Sequence, residues 1–431
     1  MKISSACLLI GLLISNLLWA QDLKVNSDLL NKNLQELAKI GKNENGGSDR
    51  IGFSDFDLEG RAFTMKLMKE AGMEVSIDAA GNIIGSVYGT VPGLSKIAFG
   101  SHIDEVPNGG DYDGPVGSLS AIEVVRTMQE AGYSSRHPLE VIIFANEEGG
   151  VIGSRGKVGT LSQAALQVVS SSGLTMAEGI KKIGGNPDKI EEQVSKEGEY
   201  AAYLELHIEQ GANLFQEGLE IGVVEGIVAI EWWDFTFKGI TNHAGTTPMN
   251  MRKDALLPAA QLVLDINEIV NSFDGAHVGT VGKIQAFPGA GNVIPGEAKI
   301  TLEIRDLSSE KIWAIYAEIE KRAKELAQQA GMGLDIDHIE VASESALSDP
   351  KIQKMIEKSA SDLGLSYKYM PSGAGHDAQE MARITPIGMI FVPSKDGISH
   401  SPDEYTSPED VANGANVLLR TILEIDKSGL E

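Results

Sequence analysis

Two apolar periods alternate along the chain. From Leu29 to Ile40, residues Leu30, Leu34, Leu37 and Ala38 recur at the spacing of one helical face, and from Leu58 to Ala71 the same spacing links Phe63, Leu67 and Met68 before Gly72 ends the run. Short continuous apolar stretches follow at Ile83 to Tyr88, Lys96 to Gly100 and Leu139 to Ala145, the pattern of strands buried on both faces. Strands separated by helical segments predict an α/β fold with a mostly parallel, helix-covered sheet. Near Ile227 the texture changes. Glu231 to Lys238, Gly279 to Ala286 and Ala298 to Asp306 read as longer strands with alternating faces, and in the last of these Ile300, Leu302 and Ile304 oppose Thr301, Glu303 and Arg305. Helices over Asp254 to Phe273 and from Ser308 to a stop at Gly331 lie between and after them. The order predicts an α+β unit at residues 227–342 inserted into a first domain, residues 22–226 and 343–431, whose second part includes the buried run Ile387 to Val392. Leu161 to Ser195 reads as extra helices of no legible function.

Charge and cysteine content narrow the classes. Among 431 residues, 36 Lys plus Arg against 61 Asp plus Glu leave a net charge of −25, which repels nucleic acid and anionic membrane surfaces. The single cysteine, Cys7, excludes an intramolecular disulfide framework and a thiolate-rich zinc site. It lies in a start that reads as a cleaved secretory signal, residues 1–20, with Lys2, an apolar run from Cys7 to Leu18 and Leu18-Trp19-Ala20 at its end. The expected location is therefore secreted or periplasmic.

Five of the eight histidines stand in clusters of Gly, Asp, Glu or Ser: His102, His207, His243, His376 and His400. Gly100-Ser101-His102-Ile103-Asp104 ends an apolar strand, where open α/β sheets place their ligands, and Asp113 follows in Asp111-Tyr112-Asp113-Gly114. Asp104 is placed to orient the His102 ring from behind. The strand ending at Ala145 runs into Asn146-Glu147-Glu148-Gly149; adjacent carboxylates there are either a solvated turn or a pair compensated by a cation, one binding it and one serving as a general base. His207, on Leu204-Glu205-Leu206-His207, and His400, after Phe391-Val392-Pro393, complete a set of nitrogen and oxygen donors suited to two metals without thiolate. His137, His277 and His338 read as ordinary satisfied or surface histidines.

Taken together these motifs resemble the amidase, hydantoinase and carbamoylase group of dizinc amidohydrolases. The matching segments also include Arg50-Ile51-Gly52-Phe53-Ser54, Asp78-Ala79-Ala80-Gly81-Asn82, Asn242-His243-Ala244-Gly245-Thr246-Thr247-Pro248-Met249, Asn292-Val293-Ile294-Pro295-Gly296, Gly373-Ala374-Gly375-His376-Asp377-Ala378 and Ser399-His400-Ser401-Pro402. The resemblance implies that the inserted unit is a ferredoxin-like lid and dimerisation domain of a homodimer. It implies two divalent ions, zinc with manganese, cobalt or nickel as alternatives, with Asp113 bridging, His102 and His207 completing one site and Glu148 and His400 the other. Glu147 is then the general base. His243 is implied as the oxyanion donor reaching a second subunit's site, with Gln210, His376, Asn292 and Arg305 holding the substrate. Arg305 argues for an anionic N-carbamoyl or ureido acid, because a guanidinium grips a carboxylate in two places; without the neighbouring motifs it would read as a surface ion pair, and Asn292 as a turn cap. Where the family usually carries a small hydroxyl residue, Glu105 stands here. The expected function is hydrolysis of a linear C–N amide bond, with a dipeptidase or N-acyl-amino-acid deacylase as the second reading and a non-catalytic periplasmic binding protein as the third.

Overall fold

The computed structural model describes residues 23–339 and 344–430; the expected signal segment, and the predicted return of the chain to its first domain near residue 342, lie outside them. The chain packs as two units, one holding residues up to Gly226, Leu347–Ser372 and His376 onward, the other Ile227–Ala346 with Gly373–Gly375.

The first unit is built on a sheet whose middle is parallel. Lys96–His102 pairs with Leu139–Phe144 on one side and Tyr200–Ile208 on the other, and Tyr200–Ile208 pairs in turn with Ile387–Val392, all in parallel. Antiparallel strands flank this middle: Ile83–Val87 beyond Leu139–Phe144, and Ile221–Ile227 beyond Ile387–Val392. The parallel strands are buried along nearly their whole length, which is why they carry unbroken apolar runs. Helices Pro115–Glu130 and Pro408–Ser428 are buried on most of their circumference because they lie on the sheet and on each other. Their Val, Leu and Ile side chains join Leu30, Leu34 and Leu37 in one core. Each such side chain taken fully from water contributes roughly 1.5–3 kcal/mol. Asn26, Ser54 and Ser407 cap the helices that follow them, accepting from the N–H groups of Leu29, Asp57 and Asp410.

The segment from Leu161 onward is less helical than its composition predicts. It forms the short helix Met176–Lys182 between two 3₁₀ turns, Ala165–Gln167 and Pro187–Gln193. Its Leu166, Met176, Ile180, Ile183 and Ile190 make a small separate core with Phe53, Ala79, Ala80, Ala145 and Ile152. These partners belong to the Arg50, Asp78 and Asn146 motif regions, so the segment backs those loops.

The inserted unit is a four-stranded antiparallel sheet, in the order Gly333–Ile339, Ala229–Lys238, Glu297–Asp306, Val278–Phe287, with helices Leu256–Asn271 and Ser309–Ala330 packed on it. This is the ferredoxin-like arrangement. The alternation expected in Glu297–Asp306 holds, with Ile300, Leu302 and Ile304 fully buried beside Trp233, Phe235 and Phe237. Gly331 ends the second helix in the left-handed region at φ 61, where a residue without Cβ carries no steric cost.

Candidate dimetal site

The parallel strands end together, and their ends carry the candidate donors. His102 is the last residue of Lys96–His102, His207 the penultimate residue of Tyr200–Ile208, and Glu147 and Glu148 follow Leu139–Phe144 by a three- to four-residue turn. Asp113 precedes Gly114, the residue at φ 78 from which helix Pro115–Glu130 starts; a Cβ on Gly114 would lie 2.4 Å from the His102 ring. That glycine lets the loop pass close enough to set Asp113 beside the histidines.

Among the described residues three three-donor groups have their ligand atoms within 4.8 Å of one another: His102 with Asp113 and His207, Asp113 with Glu148 and His400, and, behind the first, Glu205 with His207 and His376. The first two form a pair. Asp113 is common to both. His102 Nε2 lies 3.7 Å and His207 Nε2 3.2 Å from Asp113 Oδ1, while His400 Nε2 is 3.3 Å from Asp113 Oδ2 and 3.4 Å from Glu148 Oε1. The Nδ1 atoms of His102 and His207 face the backbone carbonyls of Asp104 and Ile208, each at 3.0 Å. An Nδ1–H donating to a carbonyl leaves the Nε2 lone pair free for a metal. Among the described residues, His207 Nε2 and Glu148 Oε1 are buried without a hydrogen-bond partner, as suits ligand atoms of a cation site. The residues therefore fit a pair of divalent ions.

The electrostatics agree. Burial pulls the His102 pKa down to about 4. Burial also lowers that of His207, but Asp113 more than offsets it and carries the ring up to about 9. His400 rises to about 9, first through its hydrogen bond to Asp113. Burial and then Asp113 push Glu148 up to about 8, and Glu147 stands well above the usual carboxylate range through burial and the adjacent Glu148. Crowded carboxylates of this kind hold protons until cations displace them, so cation binding at such a site would release protons.

Glu147 belongs to neither donor group, and its Oε2 lies 3.8 Å from His102 Nε2. Asp104 does more than expected. Its carbonyl, not its carboxylate, meets His102 Nδ1; the carboxylate accepts the N–H groups of Glu147 at 3.1 Å and Glu148 at 3.2 Å, so it fixes the glutamate turn. The reason is reach: the strand ends at His102, so the bent backbone brings the carbonyl 3.0 Å from the ring while Oδ1 stays at 3.9 Å.

Gln210, at φ 58, donates from Nε2 to Asp113 Oδ2 at 2.6 Å. His376 is buried, edge-on to His207 with ring centroids 4.5 Å apart, and its Nε2 faces Ser372 Oγ at 2.8 Å. In the inserted unit, His243 Nδ1 accepts from the N–H groups of Gly245 at 2.9 Å and Thr246 at 3.2 Å. That leaves the ring proton on Nε2, so exposed His243 presents a donor. Asn292 is exposed next to it, its carbonyl accepting from Ala244 N–H at 3.0 Å. Arg305 is engaged: Nε donates to Glu303 Oε1 at 2.8 Å, one terminal nitrogen to Glu303 Oε2 at 3.2 Å and the other to the Gly373 carbonyl at 2.7 Å.

Glu105 is turned away from a purely metal role. It forms a buried ion pair with Arg50 at 3.0 Å, and Arg50 also donates to the carbonyls of Leu37, Ile40 and Ile103. Three further acidic residues escaped the sequence reading. Glu205 accepts from Ser101 Oγ, Tyr203 OH and Ala378 N–H beneath His207, Asp377 is wholly buried beside His376, and Glu404 binds the loops carrying Asp113 and His400. Glu205 carried a signal, since a carboxylate inside the apolar run Leu204 to Ile208 needs partners to be there.

Comparison with known proteins agrees with this construction. The profile of Peptidase family M20/M25/M40 matches residues 98–424. The chain is 40% identical over 406 residues to the N-carbamoyl-L-amino acid amidohydrolase of Geobacillus stearothermophilus, covering 93% of this chain and 99% of that protein. It is 38% identical over 418 residues to the ureidoglycolate hydrolase of Arabidopsis thaliana, covering 94% and 88% respectively. The solved structure of an amidase of the hydantoinase/carbamoylase family from Burkholderia multivorans matches with a TM-score of 0.86 at 34% identity, over 93% of this chain and 98% of that one. The chain belongs to the peptidase M20/M25/M40 family and, within it, to the hydantoinase/carbamoylase amidohydrolases, hydrolases of ureido and amide bonds.

Proposed function

We propose that this protein is an exported, metal-dependent amidohydrolase that cleaves the linear C–N bond of an N-carbamoyl-L-amino acid or a related ureido acid. The observation that carries the reading is the arrangement around Asp113: two three-donor groups share it, and Glu147 stands beside them without belonging to either. His102, Asp113, Glu148, His207 and His400 would hold two divalent ions, zinc or alternatively manganese, cobalt or nickel, which would supply polarisation of the scissile carbonyl and a more acidic water.

The chain's own groups do the rest. Glu147 takes the water's proton on its carboxylate as the new C–O bond forms, then gives that proton to the amino nitrogen, and the C–N bond breaks as the carbonyl is restored. The amino acid leaves, and the carbamate half falls to carbon dioxide and ammonia. The Nε2–H of His243 is the donor for the negative oxygen that develops on the attacked carbonyl. Arg305, Asn292, Gln210 and His376 are the substrate-holding groups, and Arg305 is the one that demands a free carboxylate.

The assembly belongs to the same reading. Strand Val278–Phe287 is an edge of its sheet, with Val278, Ile284 and Phe287 exposed, and the neighbouring helix exposes Leu257 and Leu264. An unpaired apolar edge of this kind favours pairing with a second copy, which supports a homodimer through the inserted unit.

The test is an assay of the metal-reconstituted enzyme against matched N-carbamoyl, N-acetyl and dipeptide substrates, with ammonia and free amino acid both measured. Equal release of both from the N-carbamoyl substrate is expected. Turnover confined to the acetyl or dipeptide substrates, without ammonia, would establish the deacylase or dipeptidase reading instead, and binding with no turnover of any substrate would leave a binding protein.

A further inference from the structure

Glu404 follows His400 by four residues, in a loop, yet it is only 5% exposed. Its Oε1 accepts the N–H groups of Tyr112 at 2.8 Å and Asp113 at 3.0 Å. Its Oε2 accepts Ser399 Oγ at 3.0 Å and His400 N–H at 3.3 Å, and the same Ser399 hydroxyl lies 2.8 Å from Asp113 Oδ2. One buried carboxylate thus spans two loops that are 286 residues apart in sequence at Ser399 and Asp113. The packing leaves it no slack, since a Cβ on Gly110 would lie 2.1 Å from Oε1.

The two donor groups depend on this clamp unequally. His102 and His207 are carried on paired strands and are almost wholly buried, so the sheet itself sets their separation. His400 is on no strand or helix, its side chain is 47% exposed, and its backbone sits at φ 54, a conformation a non-glycine residue keeps only when its surroundings impose it. The contact from its N–H to Glu404 is what the structure offers to impose it.

We infer that Glu404 is a positioning residue that holds His400 against Asp113, and that the ion bound by Asp113, Glu148 and His400 depends on it more than the ion bound by His102, Asp113 and His207, which shares the Glu404-held Asp113 but keeps two ligands on the sheet. This rests on the dimetal reading above. It assigns the weaker of the two metal sites and the residue that sets its strength.

The experiment compares wild-type protein with Glu404→Ala, Glu404→Gln and Ser399→Ala, each stripped with chelator and titrated with Co²⁺ and Zn²⁺ against a chromophoric competitor. Metal stoichiometry, cobalt visible absorption and the thermal midpoint of the metal-free protein are recorded. Wild type is expected to take two ions per chain. The Glu404 variants should bind one ion within a few-fold of wild-type affinity and the second ~10- to 100-fold more weakly, with Ser399→Ala intermediate. Unchanged binding of both ions, or equal weakening of both, would overturn the assignment. A wild type that takes fewer than two ions would instead defeat the dimetal reading, and this inference with it. Should Glu404→Ala not fold, Glu404→Gln, which keeps the shape and one acceptor oxygen, gives the same comparison.

Discussion

At Glu147 a neutral isostere separates chemistry from metal binding. Glu147→Gln keeps the side chain's shape but cannot take a proton, so turnover is expected to fall by roughly 10²–10⁴-fold while both ions still bind, checked by kcat and metal content together. Near-normal turnover would remove Glu147 from the mechanism. At Arg305 all three guanidinium nitrogens already donate, to Glu303 and to the Gly373 carbonyl, so a substrate carboxylate would meet the second N–H of each terminal nitrogen, and Arg305→Lys should raise KM for substrates with a free carboxylate and not for their amides. An equal rise for both would refute the clamp. The histidines, Asp113 and the paired glutamates were legible as candidates because donor types cluster with glycine at strand ends. The real task of Asp104 was not, since whether its carbonyl or its carboxylate meets His102 depends on how the backbone bends beyond the strand.

Buried charge also ties elements together. Glu140, in the strand Leu139–Phe144, is contacted by Lys96 at 2.8 Å, Lys157 at 3.4 Å and Tyr200 OH at 2.5 Å. Burial raises its pKa, but Lys157 and Lys96 outweigh burial and hold it below the usual carboxylate value. A lowered folded-state pKa contributes stability that is present above the unfolded value, near 4.5, and is lost as pH falls through the folded value. Urea unfolding from pH 7 to pH 3 should show this acid loss, and Glu140→Gln should flatten it while costing about 3 kcal/mol at neutral pH, because Lys157 is left buried with a weakened partner. A variant that kept the wild-type acid slope would show that other carboxylates set it. Most strands and long helices were legible to within a few residues because their periods are long and regular. Leu161 to Ser195 was not: its apolar residues serve a small core shared with distant loops, so they follow no single helical face.

For the whole molecule, the exposed edge Val278–Phe287 predicts assembly. Sedimentation should find the wild type as a dimer and Ile284→Asp as a monomer that remains folded by circular dichroism; a dimeric variant would move the contact elsewhere. If His243 acts across that dimer, mixing inactive His243→Ala and Glu147→Gln subunits should restore partial activity. Failure to do so after demonstrated subunit exchange would place His243 on its own subunit's substrate. The net charge of −25 belongs to this scale too: part of it is concentrated around Asp113, where bound cations would offset it, and the rest is not a guide to the substrate.

The linear chain, by itself, determined the fold class and the inserted α+β unit and marked the candidate donors, because periodicity and the clustering of reactive residue types are local properties. Only the tertiary structure decided how those donors are held. Glu404 and Glu205 make their contacts with residues far away in sequence, Asp113 and Ser101 among them, and Arg50 pairs with the distant Glu105. A carboxylate's partners are set by which loops the sheet brings to one end, and no local pattern records that.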